Sequence, residues 1–174
     1  GGDTNGDGSN TSPQAGSWRR LFVDTTSTGS SFTHTLVRYG GNNNLSDDAG
    51  KKGAIGVSGA TVSFSNLMVE QSGAHGLALE NSNSTVSNSR FSTSTSADYQ
   101  AAGILISGGS PTVTGSTFNG NYRGMRIEND ATPTLSSNTF ALQTQEAVYI
   151  VGRVGSMSGN SGAGNGVTAI VVGN

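Results

Sequence analysis

Seven residues recur along this chain with little change: "TVSNSRF" at 85–91, "TVTGSTF" at 112–118 and "TLSSNTF" at 134–140. A further copy is read from Thr61 and a degraded one from Gly155 to Ser161, so successive starts fall 24, 27, 22 and 21 residues apart. An earlier, looser copy, "SFTHTLV", starts at Ser31, 30 residues before Thr61. An internal period of this length means a solenoid, because one repeat is too short to bury an apolar face alone and must stack on its neighbours.

A second signal travels with the first. Apolar triplets that alternate in-out-in stand at Ile55-Gly56-Val57, Leu77-Ala78-Leu79, Ile104-Leu105-Ile106, Met125-Arg126-Ile127 and Val148-Tyr149-Ile150, with Leu21 and Val23 matching the same pattern. Each repeat thus holds two or three short alternating segments broken by Gly, Ser, Asn or Pro, and none keeps a helical period long enough to bridge them. Leucine-rich, ankyrin and helical-pair repeats are excluded by the missing signatures. What remains is a coil whose strands stack in parallel, about 4.8 Å apart, from turn to turn. The reading places Val62, Val86, Val113 and Leu135 in one internal ladder and Leu67, Phe91, Phe118 and Phe140 in another, the rings serving as core rather than as a ligand platform.

Composition narrows the function classes. Only 11% of residues are charged and the formal net charge is −2, so nucleic acid is not an expected partner, and no apolar run is long enough for membrane insertion. Cysteine is absent, which removes disulfides, thiol nucleophiles and thiolate metal sites. The chain reads as a polar loop over 1–17, followed by one solenoid over 18–174 that is expected to be a segment of a larger protein.

The stretches "GILISGGSPTVTGSTFNGN" and "GMRIENDATPTLSSNTF", with "SWRRLFV" and "HTLVRYGG" as an earlier turn, resemble the right-handed parallel β-helix proteins of the pectate-lyase-like class, in particular their repeat-rich extracellular bacterial members. The resemblance implies an all-β fold: a single-stranded solenoid of about six to seven turns with three parallel sheets. It also implies a secreted or cell-surface location. It leaves function open, because the class holds lyases, hydrolases, adhesins and fibres.

Several residues are candidates for chemistry. "DTNGDGS" sets Asp3, Asn5 and Asp7 at alternate positions before Gly8, the first half of a calcium loop, with Gln14 where a bidentate Glu would stand. Calcium is the one cofactor expected, and Asp47 with Asp48 offers a second acidic pair. In the column after the triplets, Ser58, Glu80, Ser107, Glu128 and Val151, the two carboxylates fall two turns apart, roughly 9.6 Å. Arg126 lies on the same face as an anion clamp. This set is either a solvated face or the active site of a polysaccharide lyase or glycoside hydrolase. The outward triplet column, with Leu105 and Tyr149 flanking Arg126, is expected to be exposed and flat, suited to a polysaccharide or cell-surface glycan. His75 is expected in a turn, and Trp18 is expected to close the end of the core.

The leading expectation is therefore an extracellular, adhesin-like structural module, possessing a glycan-binding face and no catalysis; the alternative is a carbohydrate-active enzyme or a fragment of one. The long insertions "GGNNNLSDDAGKK" (40–52) and "STSTSADYQ" (92–100) are the first places to look for binding. No cap is written at either end, so end-to-end association through Val171 and Val172, or further turns of a parent protein, is expected.

Overall fold

The computed structural model describes residues 8, 10–42, 53–97, 100–153, 155–167 and 170–173. All regular structure among them is β, arranged as three sheets in which every pairing is parallel. Sheet A has seven strands, at Leu21–Val23, Gly53–Ser58, His75–Glu80, Ala102–Ser107, Arg123–Glu128, Val148–Val151 and Ile170–Gly173. Sheet B has six strands, at Ser31–Thr33, Ser63–Ser65, Thr85–Ser87, Thr112–Thr114, Thr134–Ser136 and Ser156–Ser158. Sheet C has six, at Leu36–Arg38, Met68–Glu70, Arg90–Ser92, Thr117–Asn119, Thr139–Ala141 and Ser161–Ala163, and the chain visits A, B and C in turn, so each sheet grows by one strand per turn. This is the parallel β-helix that the repeat implies.

The corners explain the short strands. Where B passes to C, His34, Asn66, Asn88, Gly115, Ser137 and Gly159 all have positive φ, between 48° and 62°. Where C leaves for A, Tyr39, Gln71, Thr93, Gly120, Leu142 and Gly164 do the same. A left-handed residue turns the chain sharply; Asn or Gly, which take that conformation at least cost, hold six of these twelve corners, and His34, Ser137, Tyr39, Gln71, Thr93 and Leu142 hold the others.

These corners also correct the sequence alignment of one turn. The pairing is Phe64 with Val86 and Val69 with Phe91, so the copy read from Thr61 begins at Ser63, and neither Val62 nor Leu67 belongs to the ladder assigned to it. Thr61-Val62 imitates the opening dipeptide, but the left-handed Asn66 must stack on Asn88, and that fixes the register two residues later. The degraded copy likewise begins at Ser156 rather than Gly155. With these shifts the hydrogen-bonded neighbours of successive turns lie 32, 22, 27, 22 and 22 residues apart. The basic turn is 22 residues, and the two longer turns carry the insertions.

One core ladder is then Phe32, Phe64, Val86, Val113, Leu135 and Met157, and the other is Val37, Val69, Phe91, Phe118, Phe140 and Gly162. Phe91 stacks on Phe118 with centroids 5.3 Å apart, and Phe118 on Phe140 at 4.8 Å, all three buried. Room for the rings comes from Gly103 and Gly124, where an added Cβ would lie 2.7 and 2.5 Å from Phe118 and Phe140 respectively. Trp18 packs on the first turns of this core and its indole N–H donates to the Arg38 carbonyl at 2.8 Å.

Polar side chains also stack inside the corners. The amide N–H of Leu67 donates to Ser89 Oγ, that of Ser89 to Ser116 Oγ, that of Ser116 to Asn138 Oδ1 and that of Asn138 to Asn160 Oδ1, at 2.9–3.1 Å. Asn138 Nδ2 and Asn160 Nδ2 donate back to the carbonyls of Val113 and Leu135. A second such column runs through Ser94, Asn121, Gln143 and Asn165. Apart from Ser94, whose buried hydroxyl has no partner among the described residues, each side chain thus accepts from a corner amide of the turn before it, a group that the sharp corner removes from the sheet ladders.

Candidate functional site

The outer face of sheet A is where polar and aromatic side chains gather. Leu105, Arg126 and Tyr149 sit on successive rungs of one column, in register, as the triplet pattern predicts. Their exposure differs from the expectation at one position. Leu105 is 5% exposed, and on the next rung its ladder neighbour Arg126 donates to Gln100 Oε1 at 2.6 Å. Gln100 ends the insertion that lengthens this turn, so the insertion supplies a partner to the face. Arg126 and Tyr149 remain half-buried.

Arg126 also binds Glu128, its Nη2 lying 2.7 Å and its Nε 2.8 Å from Glu128 Oε2. Glu128 stands on the rung beyond Ser107, and Ser107 on the rung beyond Glu80, so the two carboxylates are two rungs apart as the sequence implied. The intervening Ser107 Oγ accepts a hydrogen bond from Asn129 Nδ2 at 2.8 Å. Glu128 is therefore a carboxylate held through its Oε2 by a guanidinium, and two rungs separate it from Glu80.

Two residues at the centre of this face were not singled out from the sequence, and a third, Gln100, ends the insertion 92–100 that the sequence marked as a place to look for binding. Arg123 and Glu146 each stand two residues ahead of a triplet, on adjacent rungs, and form an ion pair at 2.6 Å with side chains only 9% exposed. Arg123 also donates to Gln100 Oε1 at 3.0 Å and lies over the ring of Tyr149, 4.3 Å from its centroid, and near that of Tyr122 at 5.3 Å. Gln100 is the third, accepting from both arginines. The available signal was opposite charge at one offset before consecutive triplets; it was masked because that offset holds Gly53, His75 and Ala102 in the earlier turns.

His75 opens a strand of sheet A and is buried, rather than lying in a turn; its Nδ1 accepts from the Ala102 amide at 2.9 Å, so it bridges the rung that follows. Asp3, Asn5 and Asp7, with Asp47 and Asp48, lie outside the described residues. Among the described residues no group of three His, Cys, Asp or Glu is placed to hold a metal ion, and no helix is long and apolar enough to cross a membrane. At the far end Val172 is 54% exposed, while the side chain of Val171 lies outside the described set.

As chemistry, the face offers an aromatic ring backed by a guanidinium, with a second guanidinium, a carboxylate and an amide around it. A cation behind the ring fixes its orientation, and the planar donors and acceptors are of the kind that pair with hydroxyl groups. The comparisons with known proteins bear on the fold. Residues 23–174 match the family described as "Right handed beta helix region", and the chain belongs to that family. No curated protein matches. A solved structure, that of HetL, a pentapeptide repeat protein involved in heterocyst differentiation regulation from the cyanobacterium Nostoc sp. strain PCC 7120, is 9% identical over 88% of this chain and 89% of its own. Its TM-score is 0.16, too low to carry any argument.

Proposed function

We propose that this chain is a non-catalytic β-helical module of an extracellular or cell-surface protein, whose sheet A face binds a glycan. The observation that carries the reading is the half-exposed Tyr149 ring, with the guanidinium of the buried Arg123–Glu146 pair 4.3 Å from its centroid and Arg126, which bonds Gln100 and Glu128, on the rung before it. Parallel rungs set such groups at a regular pitch, which suits a chain of repeating sugars laid across the strands. Against catalysis stands the engagement of Glu128: an acid or base must present a carboxyl group to the bond being broken, whereas this one faces Arg126.

The test is binding to pectins, alginates and xylans by affinity electrophoresis and calorimetry. A soluble glycan is expected to bind, and Tyr149→Ala to lose that binding while melting like the parent. Incubation should release neither reducing ends nor unsaturated products; turnover that disappears on Glu128→Gln would replace this reading with that of a carbohydrate-active enzyme.

A further inference from the structure

The outer face of sheet B is unlike the other two. Its six strands read SFT, SFS, TVS, TVT, TLS and SMS. The middle residue of each points into the core, so the first and third point outward, and all twelve outward positions are Ser or Thr. Every one is exposed or half-exposed. A polar surface does not require this. Sheet C, with the same strand length and the same corners, places Leu36, Arg38, Met68, Glu70 and Arg90 among its outward positions.

The hydroxyls are ordered as well as numerous. Strands pair directly in register at every step, so the two columns run straight along the solenoid. Neighbouring hydroxyls tie to one another along the columns: Ser65 Oγ donates to Thr33 Oγ1 at 3.2 Å, Thr85 Oγ1 to Ser63 Oγ at 3.4 Å and Ser136 Oγ to Thr114 Oγ1 at 3.0 Å. Short side chains held this way lose little further freedom when something binds them. The array repeats about every 4.8 Å along the solenoid and about 6.6 Å across it, from the spacing of parallel strands and the rise of two residues. The spacing of about 4.8 Å lies near the shorter oxygen repeat of hexagonal ice, and the spacing across the face is somewhat less than the longer one.

We infer that the outer face of sheet B binds the surface of ice. The face carries no charge and repeats in register, so the occupant it fits is neutral and periodic. Ice presents hydroxyl groups alone in a fixed two-dimensional repeat. The array needs no aromatic ring or planar amide to meet it, only hydroxyls that hold water at matching intervals. A sugar chain asks for the rings and planar groups that sheet A carries and sheet B lacks, so a polysaccharide is the weaker occupant here. The inference is independent of the glycan reading, which concerns another face.

The experiment is slow growth of ice from a dilute solution of the purified chain, with the protein measured in the ice and in the remaining liquid. The parent chain should enter the ice. Thr112→Lys, which puts a long charged side chain into the middle of the array, should be left in the liquid, whereas Thr117→Lys, the same change on sheet C, should enter the ice as the parent does. Thermal melting of all three confirms that each is folded. Exclusion of the parent from ice, or uptake of Thr112→Lys equal to the parent, overturns the inference. So does retention on microcrystalline chitin or cellulose that Thr112→Lys abolishes when the parent stays out of ice, since that outcome assigns the face to a polysaccharide.

Discussion

The turns around Phe118 and the last complete turn share a backbone but not a filling. In the middle of the solenoid three phenylalanines stack without a gap, and the ladder position is occupied on every rung from Val37 to Phe140. One rung further the same position holds Gly162, Met157 is half-buried, and Ile170 is 45% exposed. A cavity of about 90 Å³ opens there, lined by Phe140, Ala147, Val148, Met157, Gly162 and Ile170. Yet the corners persist: Gly159 and Gly164 keep positive φ, and Asn160 and Asn165 still bond the turn before. The coil is therefore specified by two separable devices. Left-handed corners with their amide columns set the path and register, and the apolar ladders supply most of the stabilisation.

The largest expected effect tests the second device. Phe118 has neighbours above and below, so Phe118→Ala leaves a cavity that two other rings cannot fill, and it should cost on the order of 3 to 5 kcal/mol in urea unfolding. Met157→Ala, at the end where the ladder has already thinned, should cost less than half of that. Equal losses at the two sites would mean that the apolar filling is not concentrated in the central turns, and the comparison would fail.

The first device was only partly legible in the sequence. The repeat, the all-β solenoid and the phenylalanine ladder follow from alternation and period, since a strand shows its buried side every second residue. The register of the turn at Ser63 does not. Thr61-Val62 and Leu67 satisfy the same apolar pattern two residues early, and a shift of two leaves the alternation intact. Only the left-handed residue, Asn66 above Asn88, decides between the two alignments, and its conformation is a property of the backbone. The face of sheet A was legible as a column, in Leu105, Arg126 and Tyr149, but not as a site. Arg123, Glu146 and Gln100 come together because an insertion folds back onto the sheet, and contacts made by an insertion have no period to read.

An intermediate effect probes the amide columns directly. Asn138 accepts from the Ser116 amide at 3.0 Å and donates to the Val113 carbonyl at 2.9 Å, wholly buried. Asn138→Ala leaves the buried Ser116 amide without its acceptor and takes one of two donors from the Val113 carbonyl, an expected loss of about 1 to 3 kcal/mol for the group left unsatisfied. Asn138→Ser should recover part of it, because Ser116 and Ser89 already serve the same column. Urea unfolding of the two variants checks this. If Asn138→Ser were no better than Asn138→Ala, hydrogen bonding to the corner would not be what the column contributes.

The smallest effect sharpens the comparison by trying to abolish it. Gly162 occupies the phenylalanine position with an ordinary, not left-handed, backbone, so an L side chain meets no conformational penalty there. Gly162→Leu would direct an apolar side chain toward the cavity of about 90 Å³ below Phe140. The gain is a partly buried Leu, because the cavity is open on one side and Gly162 is exposed; it is about half of the 1.5 to 3 kcal/mol of full burial, together with the lower chain entropy of any residue that replaces Gly. Opposing it, the new Cβ would lie 3.2 Å from Asn165 Nδ2 and from the Phe140 carbonyl oxygen. Asn165 would have to yield its 3.3 Å bond to that carbonyl, a loss of about 1 kcal/mol. The balance favours the substitution by about 1 kcal/mol, read as a rise in melting temperature with the parallel-sheet circular dichroism unchanged. A fall would mean that the close approach of Asn165 to the last turn outweighs the filling of the core, and that at this end the amide column, not the apolar ladder, holds the coil together.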